Sequence, residues 1–176
     1  MDGLDWLDAA PPEVLAPALL RCCGSARWAR AMTAARPFRM PAALLARAEG
    51  EWSKASREEI LEAFSHHPRI GDRESLWARF PATHAWSAAE QSGAAAADEK
   101  VLDDLAEGNR AYEARFGHLF IVCASGKTAV EMLALLQARL GNEPEAELKI
   151  AAGEQGKITR LRLEKLLQEK AVGASG

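Results

Sequence analysis

Along most of the chain, apolar residues recur three and four positions apart, and prolines, glycines and capping residues cut that pattern into helix-sized lengths. Pro11-Pro12 leads into EVLAPALLRCC, where Pro12 suits a first helical turn and Gly24 falls just past the end. SARWARAMTAAR follows and is closed by Pro37, and PAALLARAEGEWSKA begins at Pro41. Ser56-Arg57-Glu58-Glu59 has the S-x-x-E form of a capping box, in which a hydroxyl and a carboxylate satisfy each other's backbone N–H groups. It predicts a helix REEILEAFSHH running up to Pro68. The residue before a proline is biased away from α, so His67 is expected at that helix's last residue or just beyond it. From Pro68 to Trp86 the pattern is irregular, with Gly71, Pro81 and scattered aromatics. A loop of that length in a compact domain is often functional.

A long helix is predicted from Ala88 to Phe116, opened by a second S-x-x-E box at Ser87 and stopped at Gly117. Thr128 caps AVEMLALLQARL, which ends at Gly141. Asn142 is the expected cap of a last helix, from Glu143 to Lys170, with Gly153 and Gly156 weakening its middle. Ile158, Leu161 and Leu166 read as its core stripe. The stretch HLFIVCAS, residues His118 to Ser125, is too short and too β-prone for a helix, yet no second strand is available to pair with it. Its backbone groups need partners: the same segment of a second subunit, a neighbouring helix end, or a bound polar ligand. No internal repeat occurs and heptads are not sustained, which excludes a coiled coil. The pattern therefore predicts an all-α fold, a single-domain bundle over residues 1–176. It should hold about seven to nine helices and one short extended segment.

Composition narrows the class. Hydrophobic residues make up 48% of the 176 and charged residues 27%, ordinary values for a globular protein. With 22 basic and 25 acidic side chains the net charge is −3, and no dense basic stretch suggests a nucleic-acid groove. The longest apolar runs are far short of a bilayer span. MDGLDWLDAAPPEVL is acidic where a secretory signal would be basic, and Ala174-Ser175-Gly176 matches no peroxisomal address, so a cytoplasmic protein is expected. Cys22, Cys23 and Cys123 lack CxxC spacing and read as small core residues.

Several positions carry candidate chemistry, each with a plain structural alternative. His66 and His67 are adjacent and must point in different directions, so one can serve a pocket while the other faces solvent. Imidazole exchanges a proton near neutral pH. A histidine at a helix C-terminus also serves simply to satisfy the helix dipole. His66, His67, His84 and His118 have no metal-ligand spacing, so no metal is expected. Glu90 and Gln91 fall in the first turn of the long helix, where free N–H groups favour polar ligands, although Glu90 also completes a capping box. Asn109, Tyr112 and Phe116 share one helical face and read as core with one buried hydrogen bond. Arg160 and Arg162 lie on different faces; each can form a solvated ion pair with Glu164 or Glu169, or grip a substrate carboxylate.

The blocks HHPRIGD, SAAEQSG, NRAYEARFGHLFIVCASGK and EQGKITRLRLEKLL stand in the order and approximate spacing of one family. From PFRMPAALLARAEGEWSKAS to the final helix, the chain resembles 2-oxo-4-hydroxy-4-carboxy-5-ureidoimidazoline (OHCU) decarboxylase. The resemblance implies a cofactor-free, usually dimeric enzyme of urate breakdown, in its stand-alone form, converting OHCU to (S)-allantoin and carbon dioxide. It implies a catalytic set of His67, the proton donor, with Glu90 and Arg162. Arg162, not Arg160, is the arginine of KITRLRL that matches the family pattern. Pro68, Ser87 and Gln91 become substrate contacts, as does the backbone of Phe120, Ile121, Val122, Cys123 and Ala124, for which the substrate would supply the missing partners. DRESLWARFPATHAW follows no family wording. The rival expectation is a non-catalytic helical dimerisation or adaptor module that retains the fold.

Overall fold

The computed structural model describes residues 2–67 and 91–172, the backbone alone for 91–98 and 172. Among the described residues there are eight helices and no strand, as an all-α chain requires. They are α1 (Gly3–Ala9), α2 (Pro12–Cys23), α3 (Ala26–Ala34), α4 (Pro41–Trp52), α5 (Arg57–Ser65), α6 (Gln91–Phe116), α7 (Ala129–Leu140) and α8 (Pro144–Val172). Of the described residues, 2–67, 121–123 and 151–172 form one compact unit, and 91–120 with 124–150 form another.

The boundaries follow local chemistry. Pro12 opens α2 and Gly24 closes it in the left-handed conformation, at φ 86°. Ser56 and Glu59 form the expected capping box of α5, and Thr128 caps α7 as expected, with Glu131 completing a box there as well. α6 stops at Gly117, whose φ is 74°. Two boundaries depart from expectation. α1 had no counterpart in the sequence reading; Asp2 starts it by accepting from the N–H groups of Leu4 (2.7 Å) and Asp5 (2.9 Å). At the head of α8, the Asn142 amide donates to the Glu147 carboxylate at 2.7 Å, and the helix begins beyond it at Pro144.

The first unit's core joins Leu4, Leu7, Leu15, Leu19, Trp28, Met32, Phe38 and Leu44 to Leu163 and Leu166 of α8. The Trp28 indole N–H is satisfied by the Ala48 carbonyl at 3.0 Å. Trp52 lies against α8 at Gly156, where a Cβ would stand 3.4 Å from its ring, and donates to the Ala152 carbonyl at 2.8 Å. That distance is an ordinary contact, and the helix runs unbroken through both Gly153 and Gly156.

Along α8 the buried positions are Glu147, Leu148, Ala151, Gln155, Thr159, Leu163 and Leu166. Of the expected stripe, Leu166 is buried and Ile158 half-buried, whereas Leu161 is 43% exposed. Spacings of four and three keep 155, 159, 163 and 166 on one face, whereas 161 lies on another.

In the second unit α6 packs against α7, burying Leu102, Leu105 and Tyr112 together with Met132 and Leu136. Asn109 turns back on its own helix, donating to the Leu105 carbonyl at 2.9 Å.

Candidate active site

The adjacent histidines separate into two roles. His66 is exposed and caps α5; its ring Nδ1 stands 3.1 Å from the Glu62 carbonyl, which can only accept, so Nδ1 donates. His67 lies one residue past that cap and half-buried, with its backbone N–H on the Phe64 carbonyl at 3.1 Å. Its Nε2 meets the side-chain oxygen of Gln155 at 2.5 Å.

Gly24 makes this placement possible. A Cβ there would lie 2.9 Å from the Ala63 carbonyl oxygen and 3.0 Å from the His66 Cβ, on a backbone already at positive φ. The end of α5 therefore comes down against the end of α2 only because residue 24 has no side chain.

The C-terminal carbonyls of a helix have no partner inside it. At the end of α2 they are taken up by the buried face of α8. Arg162 Nη1 donates to the Arg21 carbonyl (3.2 Å) and the Cys22 carbonyl (3.4 Å), and Gln155 Nε2 donates to the Cys23 carbonyl (3.2 Å). A guanidinium at a helix C-terminus is also favoured by the helix dipole. Arg160 stands apart on the surface in an ion pair with Glu164 at 3.1 Å. The two arginines thus do different jobs, and the one matching the family pattern is turned into the protein.

Residues 121–123 belong to the same unit, with Ile121 and Val122 buried and Cys123 half-buried. The Cys123 backbone N–H donates to the Glu154 carboxylate at 2.7 Å, and Lys157 Nζ lies 2.5 Å from the other oxygen of that carboxylate. One amide of the extended segment therefore has an internal partner, a side chain of α8. Neighbouring residues on that helix, Glu154 and Gln155, hold the segment and the histidine respectively. Both lie inside the EQGKITRLRL block, but neither was singled out from sequence. A glutamine at core spacing was the available signal for Gln155; Glu154 offered none, since a carboxylate on a helix reads as a solvated face.

In the second unit, Phe120 and Ala124 are half-buried, and Gln91 is the first described residue of α6. The Arg139 guanidinium lies over the Phe120 ring, 4.6 Å from its centroid, and the Tyr112 ring meets it edge-on at 5.1 Å. Arg139 also donates to Glu147 through Nε (2.8 Å) and Nη2 (2.5 Å), and the Tyr112 hydroxyl donates to the same carboxylate. Burial pushes the Glu147 carboxyl up, but hydrogen bonds from Arg139, Tyr112 and Asn142 outweigh it and leave the group below the ordinary range. Burial, then the bond to Glu147, pushes the Tyr112 phenol up, keeping it a donor. Pro68, Ser87, Glu90 and the loop between them lie outside the described residues.

The cysteines of the first unit's core, Cys22 and Cys23, are pushed up to about 11 by burial and stay protonated thiols. No three His, Cys, Asp or Glu side chains converge as metal ligands would, among the described residues. No helix among them is long and apolar enough to cross a membrane.

An all-α chain with a histidine held at a buried polar hub, beside an anchored extended segment, is a frame suited to proton transfer on a small polar ligand. Residues 8–164 match the family model for OHCU decarboxylase, and the chain belongs to that family. It is 41% identical over 151 residues to the uric acid degradation bifunctional protein TTL of Arabidopsis thaliana, covering 85% of this chain and 46% of that protein. It is 28% identical over 171 residues to the bifunctional protein PucL of Bacillus subtilis (strain 168), covering 97% of this chain and 33% of that one. The chain thus spans less than half the length of either relative. A crystal structure of OHCU decarboxylase in the presence of (S)-allantoin superposes with a TM-score of 0.68 at 38% identity, covering 85% of this chain and 96% of that one. A crystal structure of (S)-allantoin synthase, at 22% identity and a TM-score of 0.67, shares the fold, covering 93% of this chain and 54% of that one.

Proposed function

We propose that the chain decarboxylates OHCU to (S)-allantoin and carbon dioxide in urate breakdown, with His67 as the general acid/base. The observation that carries this reading is the family match over residues 8–164, with His67 the histidine of HPRIG. The hydrogen bond that the Gln155 amide oxygen accepts from His67 supports it.

The chemistry asks little of a cofactor. The substrate carboxylate sits on a carbon that also bears a hydroxyl and adjoins an unsaturated ring bond. When carbon dioxide leaves, the electron pair of the broken bond is delocalised into the ring, and a proton then enters at carbon. The protein must fix the ring, keep water from the intermediate and deliver that proton to one face. A placed acid contributes about 10²–10⁴-fold to such a step. In this reading His67 delivers the proton, Glu90 orients or charge-stabilises it or holds a substrate hydroxyl, and Arg162 and Gln91 anchor polar groups of the substrate. Pro68, Ser87 and the segment from Phe120 to Ala124 form the rest of its cradle.

The bonds of Arg162 to the end of α2 bear on its part. They hold one edge of the guanidinium against protein carbonyls, so it acts as a fixed anchor and not a mobile clamp. A departing carboxylate held too tightly would stabilise the ground state, and catalysis needs interactions that strengthen in the transition state.

The same reading makes the chain one catalytic domain, working in the cytoplasm as a homodimer. Light scattering tests the dimer. The activity is tested by circular dichroism of OHCU freshly generated from urate. Rapid growth of an optically active allantoin signal is expected. Decay on the uncatalysed course, by folded protein, would leave the family fold as a non-catalytic scaffold.

A further inference from the structure

Gln155 has no exposed surface, and its place on α8 is one that a leucine would ordinarily fill. Its amide nitrogen donates to the Cys23 carbonyl and to the Thr159 hydroxyl, each at 3.2 Å. A carbonyl only accepts. Turning the amide round would set two oxygens against each other where no water can relieve them. The amide oxygen is thereby fixed towards His67 Nε2, at 2.5 Å. An amide oxygen also only accepts, so Nε2 must carry the hydrogen.

We propose that Gln155 is a positioning residue for His67, holding the imidazole with hydrogen on Nε2 in both charge states, so that the proton moved in turnover is the one on Nδ1. The inference rests on the reading of His67 as the acid/base and deepens it. The choice of an amide has a physical reason. A carboxylate here would favour imidazolium by opposite charge, whereas a neutral oxygen fixes the ring with far less bias towards either charge state. Thr159 and the end of α2 hold Gln155 in turn, and the Cys23 thiol at this place stays neutral at pH 7. Sequence spacing alone could not have named the nitrogen. It follows from which of its neighbours can donate.

The test reads the His67 ring nitrogens in ¹⁵N-labelled wild-type protein by long-range proton–nitrogen correlation, assigned by difference from His67→Ala. In the neutral ring Nε2 should be protonated, and Nδ1 should be the nitrogen whose shift moves as the ring titrates. A neutral ring protonated on Nδ1 overturns the proposal, whatever any variant does. Gln155→Met removes the acceptor at similar volume. Its kcat should fall about 10–100-fold with KM little changed, the range seen when partners that orient metal-bound histidines are removed. The fixed tautomer should be lost with it. An inactive His67→Ala beside a Gln155→Met protein with unchanged kcat and tautomer sinks this inference alone. A fully active His67→Ala sinks the acid/base reading and leaves the tautomer result standing.

Discussion

Glu147 and Gln155 both stand on α8 with no exposed surface, yet they build opposite kinds of polar cluster. Around Glu147, in the second unit, a carboxylate takes hydrogen bonds from Arg139, Tyr112 and Asn142. The buried charges cancel, every partner is committed, and the carboxylate is held ionised at neutral pH. Around Gln155, in the first unit, the hub is a neutral amide whose donors go to Cys23 and Thr159 and whose oxygen serves His67. The titratable side chain it bonds is the half-buried histidine at its edge. A closed charge cluster is suited to holding a backbone in place. An uncharged hub is suited to holding a group that must change its charge.

The sharpest way to break this contrast is His67→Ala. Turnover should fall by about 10²–10⁴-fold, with the melting temperature close to that of the parent. Retained turnover would remove the chemistry from the first cluster. Next in size is Glu147→Ala, which takes the carboxylate away from the Arg139 guanidinium at 8% exposure. Breaking one side of a buried ion pair costs about 3–5 kcal/mol, to be read by urea denaturation. Turnover per folded molecule should survive; if it collapsed with stability, the division of labour would be wrong.

The same cluster predicts a pH dependence. Because the folded-state Glu147 carboxyl is depressed from 4.5, its contribution is fully present above that value. It is lost as pH falls through the lower folded value, since the unfolded chain takes up the proton first. Melting temperature followed below pH 4.5 should fall less steeply in Glu147→Gln, although that variant starts from lower stability. The smallest effect is expected of His66→Ala, within about 0.5 kcal/mol and with near-parental turnover, because an exposed helix cap is all it removes. A loss as deep as that of His67→Ala would mean that the two imidazoles had been assigned the wrong way round.

Most helix ends were legible because their causes are local. Pro12 and Gly24 bracket α2, and Ser56 and Thr128 each carry their own capping box. α1 escaped because Asp2 and Asp5 form that box with two aspartates, which read merely as charge. The stripe on α8 was legible at Leu166 and not at Leu161, for a related reason. Its buried members include Gln155 and Thr159, which apolar periodicity does not mark, whereas Leu161, which it does mark, faces solvent. Placing Arg160 and Arg162 on separate faces needed only helix geometry. Learning that Arg162 meets the carbonyls of Arg21 and Cys22 needed the tertiary fold, because those partners are remote in sequence. Adjacency of the histidines predicted that they would diverge; which one found Gln155 depended on how Gly24 lets α5 settle.

The polar pair in the buried stripe of α8 also sets a trap for protein engineering. A scheme that scores each buried position by how well it fills space would choose Gln155 and Thr159 first, exchanging them for leucine and valine. On the present reading such a redesign would take the Gln155 bonds from the buried Cys23 carbonyl and from His67 Nε2, losing stability and releasing the His67 ring together.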